Sequence, residues 1–190
     1  LKSKGLCPYE ENGFVLSYNG EIYNYLELRE ELKKRGWRFR TNSDTEVLMK
    51  CFREWGVKMF DRLNGMFAFA IYDERQQKIL LARDIAGEKP LYYYEKGKDF
   101  MFASEAKAFS NIVKLGYRED SFFEAFQHCH DNTLFSNVYL LPAASYLTLD
   151  LKTGRRQIKP YWEFKPRSLN PNTCEEELES LLADAVKLRT

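Results

Sequence analysis

The unbroken run Met66-Phe67-Ala68-Phe69-Ala70-Ile71-Tyr72 carries apolar side chains on both faces of an extended chain. Successive side chains of a strand point to opposite faces, so a run apolar at every position predicts a strand covered on both sides, not a half-exposed edge. The rest of the chain must therefore supply layers above and below it. Asp73 to Lys78 reads as its polar turn, and Ile79 to Arg83 as the returning strand.

The remaining pattern is rich in short strands, with two helices inserted early. Phe14 to Tyr18 has strand propensity and is broken by Asn19-Gly20. Tyr25 to Arg35 places Tyr25, Leu28 and Leu32 on one helical face and pairs Glu30 with Lys34, with Asn24 as cap, Glu27 three residues on and Gly36 as stop. Ser43-Asp44-Thr45-Glu46 is a capping box that opens a helix carrying Val47, Leu48, Cys51, Phe52 and Trp55, closed by Gly56. Leu91 to Tyr94 with Phe100 to Ala103, and Tyr146 to Leu151 with Arg156 to Trp162, read as hairpins. Ser104 is expected to cap a short helix to Phe109, and Ser121 to His128 is weakly helical. Glu163 to Asn172 resembles a linker, after which Thr173-Cys174-Glu175-Glu176 opens an amphipathic helix with Leu178, Leu181, Leu182, Ala185 and Val186. That helix reaches Thr190 without a cap, and the chain starts at Leu1 without Met or a signal peptide, so both ends read as interrupted.

With 190 residues, 44% of them hydrophobic, the chain can enclose the core this pattern needs. Its 29 basic and 28 acidic residues nearly cancel, which argues against nucleic acid or an anionic membrane as partner. The apolar runs, such as Met66 to Tyr72 and Tyr139 to Pro142, fall well short of the ~20 residues of a membrane helix. Cys7, Cys51, Cys129 and Cys174 are scattered without metal-ligand spacing and read as reduced cytoplasmic thiols. His128-Cys129-His130-Asp131 offers four ligand types, but contiguous residues point in different directions, so a surface turn is the better reading and no metal is expected.

Five motifs occur in a specific order: Tyr18-Asn19-Gly20-Glu21-Ile22-Tyr23-Asn24, Ser43-Asp44-Thr45-Glu46, Leu63-Asn64-Gly65-Met66-Phe67-Ala68-Phe69, Arg83-Asp84 to Pro90-Leu91-Tyr92-Tyr93, and Phe102-Ala103-Ser104-Glu105. The series resembles the class II, N-terminal-nucleophile glutaminase domain of the glutamine-hydrolysing asparagine synthetase family, from about Leu6 to Phe164. The resemblance implies an α+β fold, an αββα sandwich of two mainly antiparallel sheets flanked by helices, here lacking its first strand. It implies an amidotransferase domain over residues 1–164, a linker at 165–172 and the first helix of a C-terminal synthetase domain at 173–190. The sequence departs from the family pattern at Ala86, where Phe or Leu is more usual, and at Leu141-Pro142-Ala143-Ala144-Ser145, which lacks the usual Pro-Gly.

Hydrolysis of a carboxamide needs a nucleophile, a base, donors for the developing oxyanion and groups that hold the amino-acid end of glutamine. The resemblance implies an N-terminal Cys whose own amine is the base; Leu1 is not that residue, and Cys7 lies in a loop with no free amine beside it. The fragment alone is therefore expected to be inert. An Asn-Gly pair can offer a side-chain amide and a backbone N–H to one oxygen, or simply make a turn. By resemblance Asn19 and Gly20 form the oxyanion hole, Asp44 holds the substrate's α-ammonium, and Gly20 and Glu21 lie along the glutamine-binding edge. For Asp44, an ordinary first-turn carboxylate favoured by the helix dipole is the plainer alternative.

The function this implies is glutamine hydrolysis that supplies ammonia to a covalently linked, ATP-dependent amide-forming domain, with ATP and Mg confined to that domain. Neither a Ser-Gly-Gly-x-Asp-Ser signature nor a GxxxxGK[ST] loop occurs in the chain, so no cofactor is expected within it. The partners are L-glutamine and the synthetase domain, with a homodimer as an admissible assembly. The competing reading is a non-catalytic scaffold module, as in β-lactam-synthetase-like relatives.

Overall fold

The computed structural model describes residues 7–118, 133–166 and 174–189. Within them a six-stranded antiparallel sheet runs in the order β1-β2-β3-β4-β8-β9, and a three-stranded sheet in the order β6-β5-β7. The large sheet comprises β1 (Tyr9–Glu11), β2 (Phe14–Ile22), β3 (Gly65–Asp73), β4 (Lys78–Arg83), β8 (Ser145–Asp150) and β9 (Arg156–Pro160). The small one comprises β5 (Tyr92–Lys96), β6 (Asp99–Ala103) and β7 (Val138–Leu140). Helices α1 (Tyr25–Lys34) and α2 (Asp44–Trp55) cover one face of the large sheet.

As its composition requires, β3 is a central strand buried on both faces. Phe67, Phe69 and Ile71 meet Leu28, Leu32, Val47 and Leu48 of the helices, while Ala68 and Ala70 face Leu91, Tyr93 and Leu141 of the small-sheet layer. The outer face of the small sheet packs Tyr94 and Val138 against Phe109 of a 3-10 helix, Ala106–Asn111. The expected helix capped by Ser104 is therefore this 3-10 turn, whose N-cap is Glu105 and which has no side-chain cap bond.

Three other expectations are corrected. β2 does not end at Asn19-Gly20 but continues to Ile22, with Asn19 opposite Ala68 and Gly20 opposite Phe67. The turn lies earlier, at Asn12-Gly13, where both residues take positive φ (53° and 83°) as a two-residue hairpin loop demands. Asn24 does not cap α1; its side chain donates to Arg62 O (2.8 Å) and accepts from Asn64 N (3.0 Å), tying the helix entrance to the start of β3. Glu30 pairs with Lys33, one position nearer than Lys34.

The capping box of α2 is only half formed. Ser43 Oγ accepts from Thr45 N (3.1 Å), but Glu46 turns away from Ser43 to accept from the N–H groups of Arg40 (2.9 Å) and Thr41 (2.7 Å) and from Thr41 Oγ1 (2.8 Å). Glu46 is fully buried and also meets the buried Lys50 (3.2 Å), which in turn reaches Glu11 of β1 (2.9 Å).

Arg83 and Asp84 close the excursion that carries the small sheet. The Asp84 carboxylate, 1% exposed, accepts from Phe67 N (3.2 Å), Glu88 N (2.9 Å) and Lys89 N (2.9 Å), and the Asp84 carbonyl accepts from Ala144 N (2.8 Å). Arg83 donates to the carbonyls of Gly87, Lys89 and Leu141. Ala144 sits in the left-handed region at φ 54°. A last helix, α3 (Cys174–Lys187), has no buried residue. The expectations for Ser121 to His128, for the His128-Cys129-His130-Asp131 run and for most of the linker lie outside the described residues.

Candidate functional site

Among the described residues, no strand lies beside the outer edge of β2 beyond the point where β1 stops. β1 pairs only with Phe14 to Leu16, so Tyr18, Gly20 and Ile22 turn their outward backbone groups toward the N-terminus of α2. The direction is fixed by Phe67. Opposite Gly20, it receives Asp84 N at its carbonyl (2.8 Å) and gives its own N–H to the Asp84 carboxylate, so it exchanges no ladder bond with Gly20. By strand alternation the Gly20 N–H then points the same way as that of Ile22, which donates to Asp44 Oδ2 (3.2 Å).

Gly20 is the residue that permits this. Its φ is 151°, and a Cβ there would lie 2.2 Å from Met66 O and 2.7 Å from Phe67 Cα. Gly65 makes the reciprocal approach, with a Cβ position 2.2 Å from Glu21 O. Two glycines thus let β2 and β3 press together where the edge turns outward.

Tyr18, Gly20, Tyr25, Asn42, Ser43 and Asp44 line a cleft of about 470 Å³, with Cys7 at its side, and it continues into a recess of about 330 Å³ reached by Glu21 and Met66. The structure therefore brings Gly20, Glu21 and Asp44 together. Asn19 lies on the opposite face of the strand and lines a different recess of about 130 Å³, with Ser17, Ala68, Leu91, Phe102 and Ser104.

Asp44 does not behave as a simple first-turn carboxylate. Its Oδ2 accepts from the Tyr18 hydroxyl (2.7 Å) as well as from Ile22 N, while Oδ1 meets the Ser43 hydroxyl at 3.4 Å. Burial, and then the charge of Asp44, push the Tyr18 phenol far above its ordinary value, so it keeps its proton and remains the donor. Tyr18, Tyr25, Asn42, Ser43 and Met66 are among the cleft residues that the sequence did not assign to the site. The usable signal for Tyr18 was its place two residues before Gly20, on the same face of a strand that does not end there.

Cys7 Sγ donates to Tyr18 O at 3.4 Å. Cys51 is buried, and burial pushes its thiol up to about 12, which makes it packing material. Among the described residues, no three His, Cys, Asp or Glu side chains group as metal ligands, and no helix is long and apolar enough to cross a membrane.

A family profile described as a glutamine amidotransferase domain matches residues 1–162. Asparagine synthetase (glutamine-hydrolyzing) 3 of Bacillus subtilis (strain 168) is 46% identical over 102 residues, 54% of this chain and 17% of that protein. Asparagine synthetase (glutamine-hydrolyzing) 2 of the same organism is 34% identical over 195 residues, 93% of this chain and 26% of that protein. The chain thus spans about a quarter or less of these two curated relatives. Among solved structures, glutamine phosphoribosylpyrophosphate amidotransferase from B. subtilis, complexed with ADP and GMP, superposes with a TM-score of 0.60 at 22% identity, covering 84% of this chain and 32% of that one. That likeness is one of fold: two antiparallel sheets with flanking helices, the N-terminal-nucleophile sandwich.

Proposed function

The chain belongs to the glutamine amidotransferase domain family, and from that membership we propose that the cleft between the outer edge of β2 and the N-terminus of α2 receives L-glutamine. The observation that carries this reading is the joint presentation of the outward backbone edge of β2 at Gly20 and a carboxylate at Asp44 in one cleft. Asp44 Oδ1 accepts the substrate's α-ammonium, Glu21 lies along the same edge, and the Gly20 N–H donates to the oxygen on which charge develops as the carboxamide is attacked. The Asn19 amide is the second donor, approaching from the other face of the strand.

The attacking thiol is supplied by a residue other than these, and Cys7, whose thiol is engaged with Tyr18 O, does not supply it. The ammonia passes to an ATP-dependent amide-forming partner domain of asparagine-synthetase type. Residues 1–164 form the amidotransferase unit, 165–172 the linker and 173–190 the first helix of the partner domain. ATP and Mg have no role in the chain itself, whose sequence holds no phosphate-binding loop of either expected kind.

Isothermal titration tests this reading. The 190-residue chain should bind L-glutamine and leave it intact, and Asp44→Asn should weaken binding about tenfold, the loss of one charge-assisted hydrogen bond. Absence of binding would favour the scaffold reading, and glutamate release that persists in Cys7→Ala would show that another group of this chain attacks.

A further inference from the structure

We propose that Tyr18 is a positioning residue for Asp44: its hydroxyl fixes the carboxylate so that Oδ1 faces the cleft and reads the α-ammonium of the bound amino acid. The inference rests on the reading of the cleft as a glutamine site.

A carboxylate at the first position of a helix has competing donors nearby, because the first-turn N–H groups have no intrahelical acceptors. In this protein Ser43 already serves Thr45 N at 3.1 Å, and Asp44 reaches across to β2 instead. There Oδ2 is held by two donors from one strand, the Tyr18 hydroxyl at 2.7 Å and Ile22 N at 3.2 Å, which fixes both the position and the plane of the carboxylate. Oδ1, whose contact with Ser43 Oγ is long at 3.4 Å, keeps its capacity to accept from a ligand. Tyr18 can do this because it points to the helix side of β2, packing against the same core as Leu16 and Ile22, and its ring lines the cleft beside Gly20. Without the phenol, Ile22 N alone would hold Oδ2, and the carboxylate could rotate toward the helix's own N–H groups. The consequence is loss of discrimination, not loss of the cleft.

The test compares L-glutamine with 4-carbamoylbutanoate, the same molecule without its α-amino group, by isothermal titration against the 190-residue chain and its Tyr18→Phe variant, with circular dichroism as a control for folding. The wild type should prefer L-glutamine by about tenfold or more, and Tyr18→Phe should reduce that preference about tenfold while changing affinity for the deamino analogue less than about twofold. In the double variant with Asp44→Asn the preference should fall no further than in Asp44→Asn alone, because both act through one carboxylate. An unchanged preference in Tyr18→Phe, or equal weakening toward both ligands, would overturn the proposal. A wild-type chain that binds neither ligand refutes the glutamine site itself and the proposal with it, a result distinct from either of those.

Discussion

At Gly20 and Gly65 the backbone of one strand occupies the volume in which the other strand's Cβ would stand. Both added methyls would meet backbone atoms at 2.2 Å, which cannot rotate aside as a flexible side chain would. Gly65→Ala should therefore lower unfolding free energy by about 3 kcal/mol, read as a fall in the urea midpoint at unchanged slope. In the sequence Asn19-Gly20 reads either as a turn or as a pair of donors. What local chemistry could not reveal is that Asn19-Gly20 stays in the ladder while Asn12-Gly13 turns, because the choice depends on how far β3 extends opposite each pair. Asp44 was legible as a helix-start carboxylate; its engagement by Tyr18 was not, since that contact joins residues brought together only when α2 packs on β2.

At the scale of elements, α2 is held to the sheet edge by a buried ionic lattice. Lys50, 2% exposed, bridges Glu46 and Glu11, and Arg53 also reaches Glu11 at 2.8 Å. The aromatic rings of Trp37 and Phe39 face the Lys50 ammonium at 5.7 and 5.3 Å. Through Glu46 the lattice fixes Arg40 and Thr41, and Thr41 Oγ1 then accepts from Ser43 N (3.2 Å), so the wall of the cleft around Asn42 and Ser43 is braced from beneath. Burial works to raise the Glu46 carboxyl, but the hydrogen bonds from Arg40, Thr41 and Lys50 outweigh it and hold the group below its usual value. Because the folded value lies below the unfolded ~4.3, this contribution is fully present above that pH and is lost as pH falls through the folded value. Glu46→Gln should cost about 2 kcal/mol at pH 7, and its urea midpoint should decline less steeply than wild type between about pH 5 and pH 3. The helices themselves were legible from their apolar spacing. So were the Ser43 cap and the Gly56 stop of α2, but the roles of Asn24 and Glu46 were not, because Asn24 is drawn to Arg62 and Asn64 and Glu46 to the backbone of Arg40 and Thr41.

Across the whole molecule the layered plan was legible from β3 alone: a strand apolar on both faces requires cover on both sides, and α1 with α2 on one side and the small sheet on the other supply it. The short strands β1 and β7 escaped notice because three residues carry too little periodicity to read. α3 keeps Leu178, Leu181 and Leu182 more than half exposed, at 57, 64 and 59%. Such a stripe contributes little to the sandwich and favours association, so Leu181→Lys with Leu182→Lys should leave the thermal midpoint within about 1 °C while reducing concentration-dependent association in sedimentation. The clasp at Arg83 and Asp84 has a different kind of consequence. The chain leaves the large sheet at Asp84 and returns at Ala144, whose N–H bonds the very carbonyl of Asp84, so everything between is an excursion with its two ends pinned together. Each doubling of such a loop adds only about 0.6 kcal/mol of closure entropy. Insertions into the connections between the strands of the small sheet can therefore accumulate at small thermodynamic cost, as long as the clasp persists and Leu91, Tyr93 and Leu141 keep their cover on β3.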